Sequence, residues 1–232
     1  EADNKLFINN QDGTFSDETE TYGVGDPGKG RDIAVADFDN DKDLDIYILN
    51  DGKNTYYEND GIGHFIDTTD TANLGCTGNG INLCVFDANK DGLLDIYIVN
   101  DGVDTFYVNS GDGEFIDATD NICMNTDSMG YRGMQRDFDN DGNIDIYLLN
   151  SRKNIIYQND GQGIFKTVEF VKVENIAAHS KSSYYIDFDN DNNLDLFIVD
   201  QSAKYVDGFG NILFHNDGDG QFTDMTAIAE LL

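Results

Sequence analysis

Four stretches of this chain place oxygen-bearing side chains at alternate positions. They are Asp37-Phe-Asp-Asn-Asp-Lys-Asp-Leu-Asp45, Asp87-Ala-Asn-Lys-Asp-Gly-Leu-Leu-Asp95, Asp137-Phe-Asp-Asn-Asp-Gly-Asn-Ile-Asp145 and Asp187-Phe-Asp-Asn-Asp-Asn-Asn-Leu-Asp195. In a tight loop such a pattern aims its oxygens at one point. Positions 1, 3, 5 and 9 supply side-chain oxygens, and position 7 a backbone carbonyl. That set suits Ca2+, which takes about six to eight oxygens in irregular geometry. Magnesium demands a smaller octahedron, and zinc favours His or Cys, which these loops lack. The expected ligands are Asp37, Asp39, Asp41, Asp43 and Asp45; Asp87, Asn89, Asp91, Leu93 and Asp95; Asp137, Asp139, Asp141, Asn143 and Asp145; and Asp187, Asp189, Asp191, Asn193 and Asp195. The expected cofactor is therefore Ca2+ at four sites. Solvated acidic turns are the alternative, but four copies in one register argue against them.

The loops are not helix-flanked EF-hands. An EF-hand closes its shell with a bidentate Glu at position 12, where this chain has Ile48, Ile98, Leu148 and Ile198. Two departures stand out. Lys42 takes the sharp sixth position, where the other loops carry Gly92, Gly142 and Asn192; a lysine there is strained. Asn89 removes a carboxylate from the second loop, which is therefore expected to bind most weakly.

The loops recur every 50 residues, at 37, 87, 137 and 187, so the elements that position them recur too. Short apolar segments precede them (33–36, 83–86, 133–136, 183–186) and follow them (44–49, 94–99, 144–149, 194–199). These are rich in β-branched and aromatic residues and too short for helices. The second set is apolar on both faces and should be covered on both sides. A polar turn, 50–54 in the first repeat, leads to a third segment at 55–58, 105–108, 155–158 and 212–215. Glycine-bearing turns at 59–63, 109–113, 159–163 and 216–220 then lead to fourth segments starting at Phe65, Phe115, Phe165 and Phe222. Seven extra residues lengthen the last repeat around 204–211.

Four antiparallel strands per repeat, covered on both faces, predict an all-β fold: a β-propeller of four-stranded blades. A β-solenoid competes, but its coils are usually shorter. One region, 1–232, holds blades at about 31–69, 81–119, 131–169 and 181–226. Residues 6–19 match only the third and fourth strands, with Asn9 and Phe15 aligned to Asn59 and Phe65, and form an N-terminal half blade. Either the chain is part of a larger ring, or the half blade completes a sheet in another copy.

The units Asp-Phe-Asn/Asp-rich loop-Leu-Asp-Ile-Tyr-Ile and Leu-Phe-x-Asn-x-x-Gly-x-Phe-x-Asp-x-Thr resemble the FG-GAP/VCBS repeat of integrin α-subunit propellers and of many bacterial surface and secreted proteins. The resemblance covers about residues 6–226. It implies a calcium-stabilised propeller working outside the cytosol, with its ions on one rim and a protein or glycan partner on the opposite rim. Residues expected on that rim are Tyr22, Asp26, Asp51, Asp101, Asp104, Tyr131, Arg132, Arg152, Lys153, His179, Lys181 and Tyr205. Arg132, Arg152 and Lys153 gather in one repeat and could meet an anionic sugar or a carboxylate; ordinary solvated charge is the plainer reading.

Charge limits the partners further. The chain has 45 acidic and 14 basic residues, a net charge of −31. Nucleic acid is excluded as an expected partner, because binding it requires a basic surface. No apolar run approaches the ~20 residues of a membrane span. No Ser/Cys-His-acid signature is visible, and His64, His179 and His215 are scattered, so catalysis is not expected. The expected function is a recognition or adhesion module. A structural subunit of a surface layer or filament is the alternative, implying a homo-oligomer, and a polysaccharide-active enzyme is a third. Of three cysteines, Cys84 reads as a buried thiol, while Cys76 and Cys123 either pair or remain thiols.

Overall fold

The structure, a computed structural model, describes residues 4–121, 130–150, 154–168, 180–200 and 211–228. Eighteen strands carry the described fold, with one short helix, α1 (Thr19–Tyr22), and one 3-10 turn at Thr119–Asn121.

Each repeat folds as a four-stranded antiparallel unit. The first unit is β3 (Gly30–Ala36), β4 (Asp45–Lys53), β5 (Thr55–Asn59) and β6 (Phe65–Asp67). In the second are β7 (Thr77–Phe86), β8 (Asp95–Asn100), β9 (Thr105–Gly111) and β10 (Glu114–Asp117). The third holds β11 (Gly130–Arg136), β12 (Asp145–Asn150), β13 (Ile155–Asn159) and β14 (Phe165–Val168). The fourth holds β15 (Ser180–Ile186), β16 (Asp195–Asp200), β17 (Ile212–Asn216) and β18 (Phe222–Asp224). A separate hairpin, β1 (Phe7–Asn9) with β2 (Phe15–Asp17), corresponds to the half unit.

The expected turn at 50–54 is replaced in the first unit by strand. β4 runs on to Lys53 and pairs with β7 (Asp51↔Asn79, Gly52↔Gly78, Lys53↔Thr77), which joins the first two units into one curled sheet. Gly52 has a φ of 128°, a value shared by Gly102 at the same place in the second unit, and one open to glycine. An exposed Lys53–Asp70 ion pair at 2.7 Å decorates its end.

The second strands are buried as their double apolarity requires: every residue of β8 and β12 is buried. The cores lie between units, not within them. Phe38, Tyr47, Leu49 and Tyr56 of the first unit cluster with Ile96, Ile98, Tyr107 and Phe115 of the second. Phe86, Tyr97, Val99 and Phe106 meet Ile146, Leu148, Tyr157 and Phe165. Phe138, Tyr147 and Leu149 meet Leu196, Ile198, Phe214 and Phe222. Each sheet is thus covered by its neighbour, as stacking repeats must be. The end faces lack that cover: Ile33 and Val35 of the first unit are 57% and 55% exposed, and Tyr184 and Ile186 of the fourth 60% and 50%.

Cys76 and Cys84 are free thiols, and the expected Cys76–Cys123 pairing involves a residue outside the described ones. Burial pushes the Cys84 thiol up to about 12, the mark of an inert core cysteine. Cys123, Arg152, Lys153, His179, Tyr205 and most of the 204–211 insertion lie outside the described residues.

Candidate metal centres

All four loops are built by one hydrogen-bond scheme. The first Asp accepts through Oδ2 from the position-6 amide: Lys42 3.1 Å, Gly92 2.9 Å, Gly142 2.9 Å and Asn192 3.1 Å. The fifth Asp accepts through Oδ1 from the position-7 amide at 2.7–2.8 Å in every loop. Two sharp corners make this possible. Position 6 has φ of 82° at Lys42, 89° at Gly92, 85° at Gly142 and 72° at Asn192. Position 4 is also left-handed, at Asn40, Lys90, Asn140 and Asn190, a corner the sequence reading did not single out.

The ninth residue closes the loop from a fully buried position at the head of the second strand. Asp45, Asp95, Asp145 and Asp195 accept through Oδ2 from the position-2 amides of Phe38, Ala88, Phe138 and Phe188. Through Oδ1 they accept from the amides of Asn59, Asn109, Asn159 and Asn216, at or near the ends of the third strands. One carboxylate therefore pins loop, second strand and third strand together.

The carboxylates converge to different degrees. Oxygens of Asp37, Asp39 and Asp41 lie within 4.8 Å of one another, as do those of Asp137, Asp139 and Asp145, and of Asp187, Asp189 and Asp191. The second loop has no such triple, because Asn89 stands at position 3 and donates its amide to Asp91 Oδ2 at 2.9 Å. Desolvation first, then like charge, raises several of these acids. Asp39 is pushed up to about 6 by burial, with Asp45, Asp41 and Glu58 adding to it. Asp145 is pushed up to about 7 by burial, with Asp139 and Asp141 adding, against hydrogen bonds from Asn159 and Phe138. Asp95 reaches about 6 from burial. Asp137 Oδ1 is buried with no hydrogen-bond partner. Crowded, acid-shifted carboxylates and an orphaned oxygen fit a hard divalent cation, which would satisfy the oxygens and neutralise the repulsion.

The third-strand residue just before that Asn is Glu58, Val108, Gln158 or His215, and all but Val108, which packs into the core, bear on the loop carboxylates. Gln158 Nε2 donates to Asp139 Oδ2. His215 Nδ1 lies 3.1 Å from Asp195 Oδ1 and 3.4 Å from Asp189 Oδ2, so the fourth loop carries an imidazole among its carboxylates. The sequence reading left these residues out. The signal was their fixed place one residue before a repeated Asn.

The same Asn is a second omission. Asn109 Nδ2 donates to Phe38 O at 2.7 Å, Asn159 Nδ2 to Ala88 O at 2.8 Å and Asn216 Nδ2 to Phe138 O at 2.9 Å, each reaching the loop of the preceding unit. Edge-on ring pairs flank two of these bonds, Phe38–Phe115 at 6.0 Å and Phe138–Phe222 at 6.2 Å. The metal loops and the joints between units are therefore one construction.

Several residues expected on the partner rim are structural instead. Asp26 is 3% exposed and accepts from Asn50 and Thr55 side chains. Asp104 is 4% exposed, accepting from Tyr97 Oη at 2.6 Å and the Asn100 amide at 2.8 Å; burial pushes it up to about 6. Asp51 is ion-paired with Arg31 at 2.9 Å. Tyr131 packs against the core between the third and fourth units, and Tyr22 against the His64 ring. These short polar side chains satisfy turn and strand-end amides, a role that sequence alone does not separate from an exposed one. Asp101 and Arg132 are exposed.

The model of the FG-GAP-like repeat matches residues 1–48, 37–98 and 137–198, together more than half of the chain. No curated protein matches the sequence. A lectin of Agrocybe aegerita, described by its specific recognition of non-reducing terminal N-acetylglucosamine, has a similar fold. The two are 19% identical with a TM-score of 0.60, covering 96% of this chain and 60% of that one. This chain thus spans less than two thirds of the lectin's length. The V. cholerae biofilm matrix protein Bap1 gives a TM-score of 0.49 at 15% identity, covering 84% of this chain and 30% of that one. On the repeat-model match and on the repeated acidic loop between paired strands, the chain belongs to the FG-GAP-like repeat family.

Proposed function

We propose that this chain is a calcium-stabilised, non-catalytic recognition module of a secreted or cell-surface protein, a propeller segment that presents a protein- or glycan-binding surface. The observation that carries it is the fourfold loop, with one hydrogen-bond scheme and clustered carboxylates in three copies. The ions would be held by the alternate Asp and Asn side chains of each loop, with the buried ninth Asp coupling them to the strands. They would supply rigidity rather than chemistry. Membership of the repeat family and the lectin-like fold support recognition as the use of the scaffold. Among the described residues no helix is long and apolar enough to cross a membrane. A net charge of −31 disfavours nucleic acid.

A second reading has its own support. Ile33, Val35, Tyr184 and Ile186 leave apolar end faces exposed, and the β1–β2 hairpin leaves Phe7 and Phe15 57% and 62% exposed. Such faces suit further units, supplied by more of the same protein or by other copies in a layer or filament.

The test is a glycan and protein binding screen with calcium and after chelation. Calcium-dependent binding without turnover supports the module. Turnover of a glycan contradicts its non-catalytic part, and end-to-end polymers in light scattering favour the assembly reading.

A further inference from the structure

The inner strands β3, β7 and β11 are tied to one another through one position. Asp32 Oδ2 accepts from the Leu83 amide at 2.9 Å and from Asn82 Nδ2 at 2.8 Å. Asn82 Oδ1 in turn accepts from the Gly133 amide at 2.9 Å. The third unit has Arg132 at this position, and a guanidinium has no acceptor to offer the fourth unit. Where the tie stops, a cavity of about 450 Å3 opens along β11 and β15.

Its lining reverses the charge of the molecule. Arg132 and Arg136 stand in it, with Asn82, Gln135, Tyr184 and Tyr185, and no carboxylate lines it. Both arginines are exposed, and neither forms an ion pair among the described residues, in a chain with 45 acidic side chains. Arg136 lies over the Tyr185 ring at 6.0 Å. The Tyr185 hydroxyl is buried and has no hydrogen-bond partner. Burial raises that phenol well above its usual pKa, so it stays a donor, and both guanidiniums bear on it electrostatically. Arg136 Nη1 donates to the Gln135 carbonyl at 2.9 Å, and the remaining N–H groups of the two planar forks, which match a carboxylate, and one phenolic O–H are the donors left to the site. A broken repeat rule with unsatisfied groups beside it marks function rather than packing.

The size and the surrounding field narrow the ligand. A volume of about 450 Å3 falls within the range of small-ligand sites. A net charge of −31 repels polyanions at long range, so one carboxylate on an otherwise neutral body is favoured. The Tyr184 ring, 60% exposed, offers a flat apolar wall beside the forks.

We propose that this cavity between the third and fourth units binds a single carboxylate-bearing sugar residue, such as a terminal uronic acid, through Arg132, Arg136 and Tyr185. The proposal rests on the recognition reading and assigns it a site and a ligand class.

Calorimetry on the calcium-loaded chain with methyl glucuronide, methyl glucoside and an N-acetylglutamate amide tests it. Binding of the glucuronide, with at least tenfold weaker or no binding of the other two, is expected. Arg132→Gln and Arg136→Gln should each weaken it at least tenfold, and Tyr185→Phe several-fold, with melting temperatures of the two exposed arginine variants unchanged. Equal binding of the neutral glucoside, equal binding of the glutamate amide, no glucuronide binding, or glucuronide binding indifferent to both arginine variants overturns the proposal. A glycan array run beside it separates the two claims. Binding of some other glycan, unaffected by Arg132→Gln and Arg136→Gln, leaves recognition standing while this cavity falls.

Discussion

Asp104 shows how much one atom changes at a repeated position. In the first and third units Asn54 and Asn154 stand there, each donating an amide to a buried tyrosine hydroxyl, Tyr47 at 2.9 Å and Tyr147 at 2.8 Å. The second unit buries a carboxylic acid instead, with its pKa pushed up by burial from the ordinary 3.8 to about 6. Between those values the folded chain keeps a proton that the unfolded chain releases. Stability therefore falls as pH rises through that window, and the penalty is complete above pH 6. Asp104→Asn should stabilise the chain by about 1–3 kcal/mol at pH 7 and by far less at pH 4, read from denaturant unfolding at both pH values. An equal gain at both would assign the effect to packing. Lys42, with φ at 82°, holds a conformation that favours glycine. Lys42→Gly should raise stability by up to about 1 kcal/mol, seen as a higher melting temperature. Both Lys42 and Asn89 were legible as departures in the sequence, because an in-register repeat supplies its own reference. The burial of Asp26 and Asp104 was not, because a short acid looks the same in sequence whether it caps a strand end or faces water.

At the scale of elements the repeat was read almost completely. Period, strand content and the glycine-bearing turns placed the strands of the four units to within a few residues, except that β7 starts six residues before the expected segment, since each short apolar run is bounded by polar turn residues. The extension of β4 across 50–54 was missed, because strand pairing between units depends on a neighbour that lies outside the local pattern. The inter-unit asparagines were missed for the same reason: their acceptors are 71 or 78 residues away. They yield a sharp comparison. Asn159→Ala strips a donor from the buried carbonyl of Ala88 and the part-buried carbonyl of Ile144, and should cost about 2–4 kcal/mol. Among the described residues the Asn59 side chain donates only to Leu44 O, within its own unit, so Asn59→Ala should cost less than about 1 kcal/mol in the same unfolding assay. Equal losses would show that the cross-unit bond contributes nothing.

The whole molecule is governed by charge. Sixteen of its acidic side chains sit in the four loops, and four divalent ions would bring −31 to −23. Removing the ions leaves carboxylates that repel within each loop and across the surface. Raising ionic strength from about 10 to 150 mM should therefore raise the melting temperature of the chelated chain more than that of the calcium-loaded chain, because screening replaces only part of what the ions do. Because the cores are shared between units, a loop that loses its ion loosens two sheets, and the unfolding should remain a single transition. The fourth loop, with His215 among its carboxylates, should favour Mn2+ or Zn2+ relative to the other three, and His215→Gln should abolish that preference.

Calcium titration of the chelator-stripped chain by calorimetry, with the melting temperature followed alongside, tests the central claim most directly. Saturable binding at three or more loops is expected, weakest at the loop with Asn89 and strengthened there by Asn89→Asp, together with a marked rise in melting temperature. No heat of binding and an unchanged melting temperature at millimolar calcium would contradict it.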